Sequence, residues 1–363
     1  MEILKNSSDL RAGILLKEDV YSKTKYPIMR KDTELTLEHI EVLRVFGIKK
    51  VLVEERVTKK EDESLASTMS TQELMNDLPM SMYVLRKQYN ETVRDYKKEF
   101  FYWRAGQKPD IVKVRAFTLP LIENFVKQKK MLALLNEFSN PDEYIYHHSV
   151  AVGILSAAIS KQMGYEKGDM LQLAIAATLA DCGMSKISPS ILEKTAFLTR
   201  EEYSEVKKHT LFSLKMVQES PLLRQEMKIA ILQHHERLDG SGYPRGDKLG
   251  AVSLFSQIIA VADVYHAMTS ERLYRPKHSP FKVIEMIKEE EFGKFDLKVV
   301  EALQKLVGDL SIGTRVKLTD GELGEVMFLH RDAPLRPMIK KEADGSIIDL
   351  TTHRHLAIAK IIE

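Results

Sequence analysis

A single cysteine among 363 residues, Cys182, excludes an intramolecular disulfide and fits a reducing compartment. Charge of one sign is not in excess either. Lys and Arg number 54 against 52 Asp and Glu, so no global field draws the chain to nucleic acid or to an acidic membrane. Any anion it binds must be gripped locally. Long hydrophobic runs are missing as well: no segment approaches the roughly 18 apolar residues that span a bilayer. The opening "MEILKNSSDLRAGILLKEDV" carries no apolar run of signal-peptide length. These absences predict a cytoplasmic protein with neither DNA nor membrane among its partners. No internal repeat or low-complexity tract is visible. What is present is a 44% hydrophobic composition on a chain long enough for two or three domains with proper cores.

Hydrophobic spacing divides the chain. Residues 1–56 read as a small α/β unit: "AGILLKEDVYS" and "YPIMRKDTEL" as short strands, "TLEHIEVLRVFG" as a helix capped by Thr36 and ended at Gly47, and "KKVLVEE" as a closing strand. Residues 57–71 are charged, then small and polar, which favours a solvated linker. From 72 to 140 the pattern is helical, interrupted at Pro79 and Pro120. These helices could pair two chains into a homodimer or relay a signal; packing onto the next domain is the simpler expectation. Residues 141–308 form a run of helical segments, and 309–363 alternate around Asp320-Gly321 and Asp344-Gly345 as a β module. The expected class is mainly α, a helical bundle flanked by a small N-terminal α/β unit and a small C-terminal β module.

Seven of the 11 histidines fall in the central helical segment, among them the adjacent pair His234-His235 in "ILQHHERLDGSGYPRG". The pair alone reads either as a metal centre or as a helix that ends in histidines. The wider constellation sharpens the choice. His148 lies near the start of one helix, Asp181 near the end of another, His209 in a third, the pair ends a fourth, and Asp263 sits in a fifth. Imidazoles and carboxylates projecting inward from several helices are how a bundle builds a dinuclear site. Asp181 follows "LQLAIAATLA" and Asp263 follows "FSQIIAVA", so both carboxylates emerge from buried stretches and need a cation.

The pieces "YIYHHSVAV", "LADCGMSKI", "KKHTLFS", "HHERLDGSGYPRG" and "VADVYHAMTSERLYRP", in this order, resemble the HD-GYP family of metal-dependent HD phosphohydrolases over residues 141–278. The resemblance implies an all-helical HD-type bundle that hydrolyses the bacterial second messenger cyclic di-GMP with iron or manganese. Carried over by position, it implies metal ligation by His148, Asp181, His209, His234, His235 and Asp263, with Asp181 bridging and therefore catalytic. A bridged pair of cations would lower the pKa of a shared water to supply hydroxide. Tyr243 and Pro244 would form a rim for a guanine or ribose, and Arg272 and Arg275 would hold phosphates bidentately. Without the family, the two arginines read as a solvated helix end.

The pattern also departs from the family. Ala180 stands where the name-giving His is expected and Met184 where a Lys approaches the substrate phosphate; Lys186, two residues on, could reach in. Ser213 replaces a usual Gly, His266 a common acid, and Tyr144 the Glu that serves trinuclear members. The expectation is therefore at most two cations, with one or none equally open. The chain reads as a cyclic di-GMP phosphodiesterase, weakened or lost. The alternatives are a non-catalytic sensor or adaptor that binds the dinucleotide or a partner such as a diguanylate cyclase domain through "DGSGYPRG", and hydrolysis of another phosphodiester. Cys182 reads as a small core residue and His147 as a surface neighbour of His148.

Overall fold

The computed structural model describes residues 2–7, 10–11, 13–21, 27–35, 39–40, 42–43, 48–54, 82–132, 134–271, 277–289, 292–308 and 310–362. The chain divides into two compact units, 1–84 and 85–363.

In the first unit, β1 (Glu2–Asn6), β2 (Leu15–Leu16), β3 (Val20–Tyr21), β4 (Pro27–Met29) and β5 (Lys50–Glu54) form two small antiparallel sheets, ordered β1-β5-β2 and β3-β4. Strand β5 alternates as its side-chain period of two requires: Val51 and Val53 point into a core with Leu16, Leu35, Ile40 and Leu43. Residues 39–40 and 42–43 are helical, as the spacing of "TLEHIEVLRVFG" predicts. The Thr36 and Gly47 caps, the linker 57–71 and Pro79 lie outside the described residues. Strand β1 was not anticipated, because "EILKN" is too short and too charged to stand out.

The second unit is mainly helical. It runs through α1 (Met82–Arg104), α2 (Ile111–Lys127), α3 (Tyr144–Gln162), α4 (Lys167–Leu179), α5 (Arg200–Lys207), α6 (His209–Val217), α7 (Gln225–Gln233), α8 (Leu254–Thr269), α9 (Pro280–Glu289) and α10 (Leu297–Val307), with shorter turns between. Contrary to the expected break, α2 continues through Pro120. A proline inside a helix costs about 3 kcal/mol. Val114, Leu121, Ile122 and Phe125 are all buried along this helix, and each contributes about 1.5–3 kcal/mol, which outweighs that cost. Tyr89 of α1 meets Phe125 and Phe138 edge-on at 6.3 and 5.5 Å, closing an aromatic layer.

Helix α3 is the centre of the unit, buried from His147 to Ser160 and packed by α2, α4, α8 and α10. It tolerates that crowding because its residues are small: a Cβ on Gly153 would collide with Thr178 Oγ1 of α4. The helical stretch 199–219, read as one element, breaks at Lys208 into α5 and α6, which brings His209 to a helix start.

Strands β6 (Arg315–Leu318), β7 (Leu323–Phe328), β8 (Met338–Lys341), β9 (Ile347–Asp349) and β10 (Ile358–Ile362) make an antiparallel sheet ordered β10-β6-β7-β8-β9. The turns fall at the Asp-Gly pairs, as expected. Arg336 bolts this sheet to α9: its guanidinium reaches both oxygens of Glu285 at 2.6 and 2.7 Å and also donates to the Leu350 and Leu356 carbonyls. Among the described residues, no helix is long and apolar enough to cross a membrane.

Candidate metal centre

The folding of α4, α6, α7 and α8 around α3 brings all six sequence-predicted donors together. Asp181, His209, His234 and His235 form one set and His148, Asp181 and Asp263 a second; within each, the donor atoms lie within 4.8 Å of one another. Asp181 belongs to both. The turn that carries it is pressed onto the start of α6, where a Cβ on Gly183 would strike the His209 carbonyl. Ser213, unusual for the resemblance, has a purpose in this turn: its hydroxyl accepts the Gly183 N–H at 2.8 Å.

Hydrogen bonding orients the rings. His209 Nδ1 and His234 Nδ1 each donate to a carbonyl, of Val206 and Ile231, at 2.7 Å. A carbonyl can only accept, so these nitrogens carry protons, and in the neutral form of each ring the Nε2 atom is left as a lone-pair donor to a metal. Both Nε2 atoms face Asp181 Oδ1, at 3.1 and 3.5 Å, and stand 3.4 Å from each other. Despite that proximity, Asp181 Oδ1 is buried without a hydrogen bond. With both rings in that form, three acceptors converge on one point. A ring nitrogen anchored by its other N–H to a backbone carbonyl is the arrangement that presents imidazole to a metal. The residues fit a divalent cation.

Electrostatics agree with that donor set. Burial alone would raise the Asp181 carboxyl, and it is positive charge facing it, on the His209 and His234 rings or on a cation that takes the place of their protons, that holds it well below the usual range. Burial likewise opposes ionisation of Asp263, and His235 and His148 pull it down. Burial, with His234 beside it, pushes the His235 imidazole well below its ordinary value, so it stays neutral. Ionised carboxylates and neutral imidazoles are the forms that ligate metals.

The second set is less complete. His148 Nε2 lies 2.8 Å from Asp263 Oδ1 and 3.6 Å from Asp181 Oδ2. Its Nδ1 is 3.0 Å from both His266 Nδ1 and Tyr144 Oη, and the Tyr144 ring stacks on it. Ala180, buried beside Asp181, offers no donor. Lys186 does not reach in for the missing Lys: its ammonium donates to the Trp103 carbonyl. His147 is not a surface neighbour. It is 4% exposed and packs its ring against Tyr89, facing away from the donors. Cys182 is fully buried, with its thiol pushed up to about 12 by that burial.

The loop after His235 doubles back over the site. Tyr243 N–H donates to the His235 carbonyl at 3.1 Å, and the Tyr243 ring stacks on His235 with centroids 4.7 Å apart. Tyr243 thus walls the centre on the His235 side, followed by a cis bond to Pro244. Gly242 is required there, because a Cβ would collide with the His235 carbonyl. Glu236, which the sequence reading passed over, clamps the loop: its fully buried carboxylate accepts from Arg245 N–H at 2.8 Å and Asp247 N–H at 3.0 Å. Its only signal in the sequence was a carboxylate at the end of an apolar helix. Lys207, also missed, lies over the Tyr203 and Tyr243 rings at 5.3 and 6.0 Å. Arg272 and Arg275 lie outside the described residues.

Residues 128–299 match the HD domain family, and that stretch is therefore an HD domain. A cyclic di-GMP phosphodiesterase of Pseudomonas aeruginosa is 32% identical over 237 residues, covering 65% of this chain and 57% of that protein. A cyclic di-GMP phosphodiesterase of Thermotoga maritima is 33% identical over 228 residues, covering 61% and 58%. An HDG"Y"P protein from Bdellovibrio bacteriovorus shares the fold at 15% identity, with a TM-score of 0.51 over 85% of this chain and 99% of that one. Together with its "HHERLDGSGYP" motif, these likenesses make the chain a member of the HD-GYP family. It spans a little over half the length of the curated relatives it matches.

Proposed function

We propose that the chain is an HD-GYP phosphodiesterase for cyclic di-GMP that works, slowly, from one complete metal position. The observation that carries this reading is the convergence of His209 Nε2 and His234 Nε2 on the unbonded, buried Asp181 Oδ1, with His235 beside them. A bound iron or manganese ion would supply an activated water and a Lewis acid for the scissile phosphate. Asp181 bridges towards the second, half-built position held by His148 and Asp263. Tyr243 and Pro244 carry a guanine or ribose at the rim, and Arg272 and Arg275 take the phosphates. The relatives named above support the substrate, and the two flanking modules and the helices before residue 141 serve signal input or pairing of two chains.

A second reading has its own support. Ala180 removes a ligand, Met184 removes a phosphate contact, and Lys186 is turned away to Trp103. Losing one preorganised charge at a developing anion costs about a hundredfold or more in rate. On this reading the chain binds the dinucleotide or a signalling partner, such as a diguanylate cyclase domain, without turning it over. Anaerobically purified protein incubated with manganese or iron and cyclic di-GMP decides the matter. Linear dinucleotide that disappears in Asp181→Ala supports the enzyme. Saturable binding with no product supports the sensor, and turnover of a different cyclic dinucleotide alone would overturn both.

A further inference from the structure

A second cleft, of about 600 Å³, opens where the β module meets the helical core, and none of its lining residues belongs to the metal centre. Its cationic wall is unusual. Lys317 of β6 and Lys360 of β10 are direct cross-strand partners in the sheet register and both line the cleft, joined by Lys277 just before α9. Directly opposed residues project from the same face, and like charges placed so are unfavourable. No hydrogen bond or ion pair holds any of the three lysines among the described residues. Elsewhere in the same module Lys341 meets Glu322 at 2.6 Å and Arg315 meets Glu342 at 2.7 Å, so carboxylate partners are available to some of its basic residues. Two carboxylates, Glu137 and Asp320, also border the cleft, but Asp320 is engaged by the Glu322 N–H at 3.0 Å and does not reach a lysine as an ion pair.

Leu134, Phe281 and Ile361 add apolar surface to the lining. The lining is also rigid, because Arg336 and Glu285 fix the sheet on α9. A volume in the range of small-molecule sites, with apolar side chains and three ammonium groups that outnumber the two bordering carboxylates, suits a ligand with a flat apolar end and phosphate charges. We infer that this cleft is a binding site for a nucleoside polyphosphate, separate from the metal centre. The cleft also touches the end of α8, which carries Asp263: His278 N–H donates to the Met268 carbonyl at 3.0 Å and Asn136 Nδ2 to the Thr269 carbonyl at 3.4 Å.

Calorimetric titration of the full chain with ATP, in chelator so that no metal recruits phosphate elsewhere, tests the site. The expected result is saturable binding that weakens at least tenfold in Lys317→Gln/Lys360→Gln, survives in Lys317→Arg/Lys360→Arg, and is unchanged in Asp181→Asn. Tripolyphosphate should compete, more weakly than ATP if the apolar surface contributes. The Gln variant removes a like-charge pair and should melt no lower than the native chain, so lost binding cannot be ascribed to lost folding. Absence of saturable ATP binding, equal binding by the Gln variant, or loss in Asp181→Asn would each overturn the inference, the last by placing the phosphates at the metal centre.

Discussion

Replacing Asp181 with Asn should move the metal-free and metal-loaded proteins in opposite directions. In the native chain a buried carboxylate oxygen faces two ring nitrogens whose protons are committed to carbonyls, and the contact of 3.1 Å to His209 Nε2 is one between acceptors. An Asn amide can turn its N–H towards that Nε2, forming a hydrogen bond of about 1 kcal/mol. It also removes a buried charge that lacks a cation, whose cost is several kcal/mol before relaxation. A net gain of about 1–3 kcal/mol is expected, which for a unit of this size raises the melting temperature by about 2–10 °C. Manganese at a hundredfold excess over its Kd should then add about 2.7 kcal/mol to the native protein and almost nothing to the variant. Scanning calorimetry in chelator, repeated with manganese, reads both arms. A variant that melts below the native protein without metal, yet still rises with manganese, would refute the reading of the rings as lone-pair donors.

Ala180→His with Met184→Lys should raise metal content from about one equivalent towards two and increase phosphodiesterase turnover, measured by metal analysis and chromatography of the linear dinucleotide. Because Ala180 is buried, a lower melting temperature without added metal is the expected side effect. Glu236→Gln sets an amide N–H against a backbone N–H in a fully buried place, at a cost of about 1–3 kcal/mol. Hydrogen exchange over residues 240–247 should accelerate and cyclic di-GMP binding weaken, while metal affinity holds; unchanged exchange would show that Glu236 is not the clamp. Burial lowers His147 to about 4 in the fold, against an ordinary value of 6.5. The unfolded chain therefore takes up a proton first, so this residue's contribution to stability is present above pH 6.5 and is lost as the pH falls towards 4. Urea midpoints at pH 7 and pH 4.5 should differ less in His147→Leu than in the native protein.

The donor residues were legible because chemistry constrains their types and the helical segments around them are strongly periodic. Asp181 and Asp263 announced themselves as charges at the end of apolar runs, and the structure buries both. Orientation was not legible. Adjacent residues on a helix point about 100° apart, which separates His147 from His148 but does not say which of the two faces solvent; in the fold neither does. Lys186 looked able to replace the missing Lys, yet the 3-10 turn that carries it directs the ammonium to Trp103. Pro120 was read as a break because local propensity was weighed alone, whereas the buried face of α2 decides. Glu236 was passed over because its partners are backbone N–H groups of a loop whose path depends on Gly242 meeting His235, a contact that no local pattern encodes.

Two of the departures from the family lie directly against His148. Tyr144 and His266 contact His148 and Ala180 adjoins the shared Asp181, whereas His209 and His234 keep both their donors and their orienting carbonyls, with the His235 ring beside them. On the His148 side, the imidazole is already occupied: one nitrogen faces Asp263 at 2.8 Å, and the other faces His266 and Tyr144 at 3.0 Å. A cation entering there must break the contact to Asp263 and use a set short of one imidazole, while a cation entering the other set relieves a convergence of acceptors. Filling is therefore expected to be sequential and strongly unequal. Titration with manganese should show one tight step that vanishes in His209→Ala and His234→Ala, with any second step much weaker and sensitive to His148→Ala. Two steps of similar affinity would mean that water replaces the missing His without penalty, and that the loss at Ala180 does not limit the chemistry.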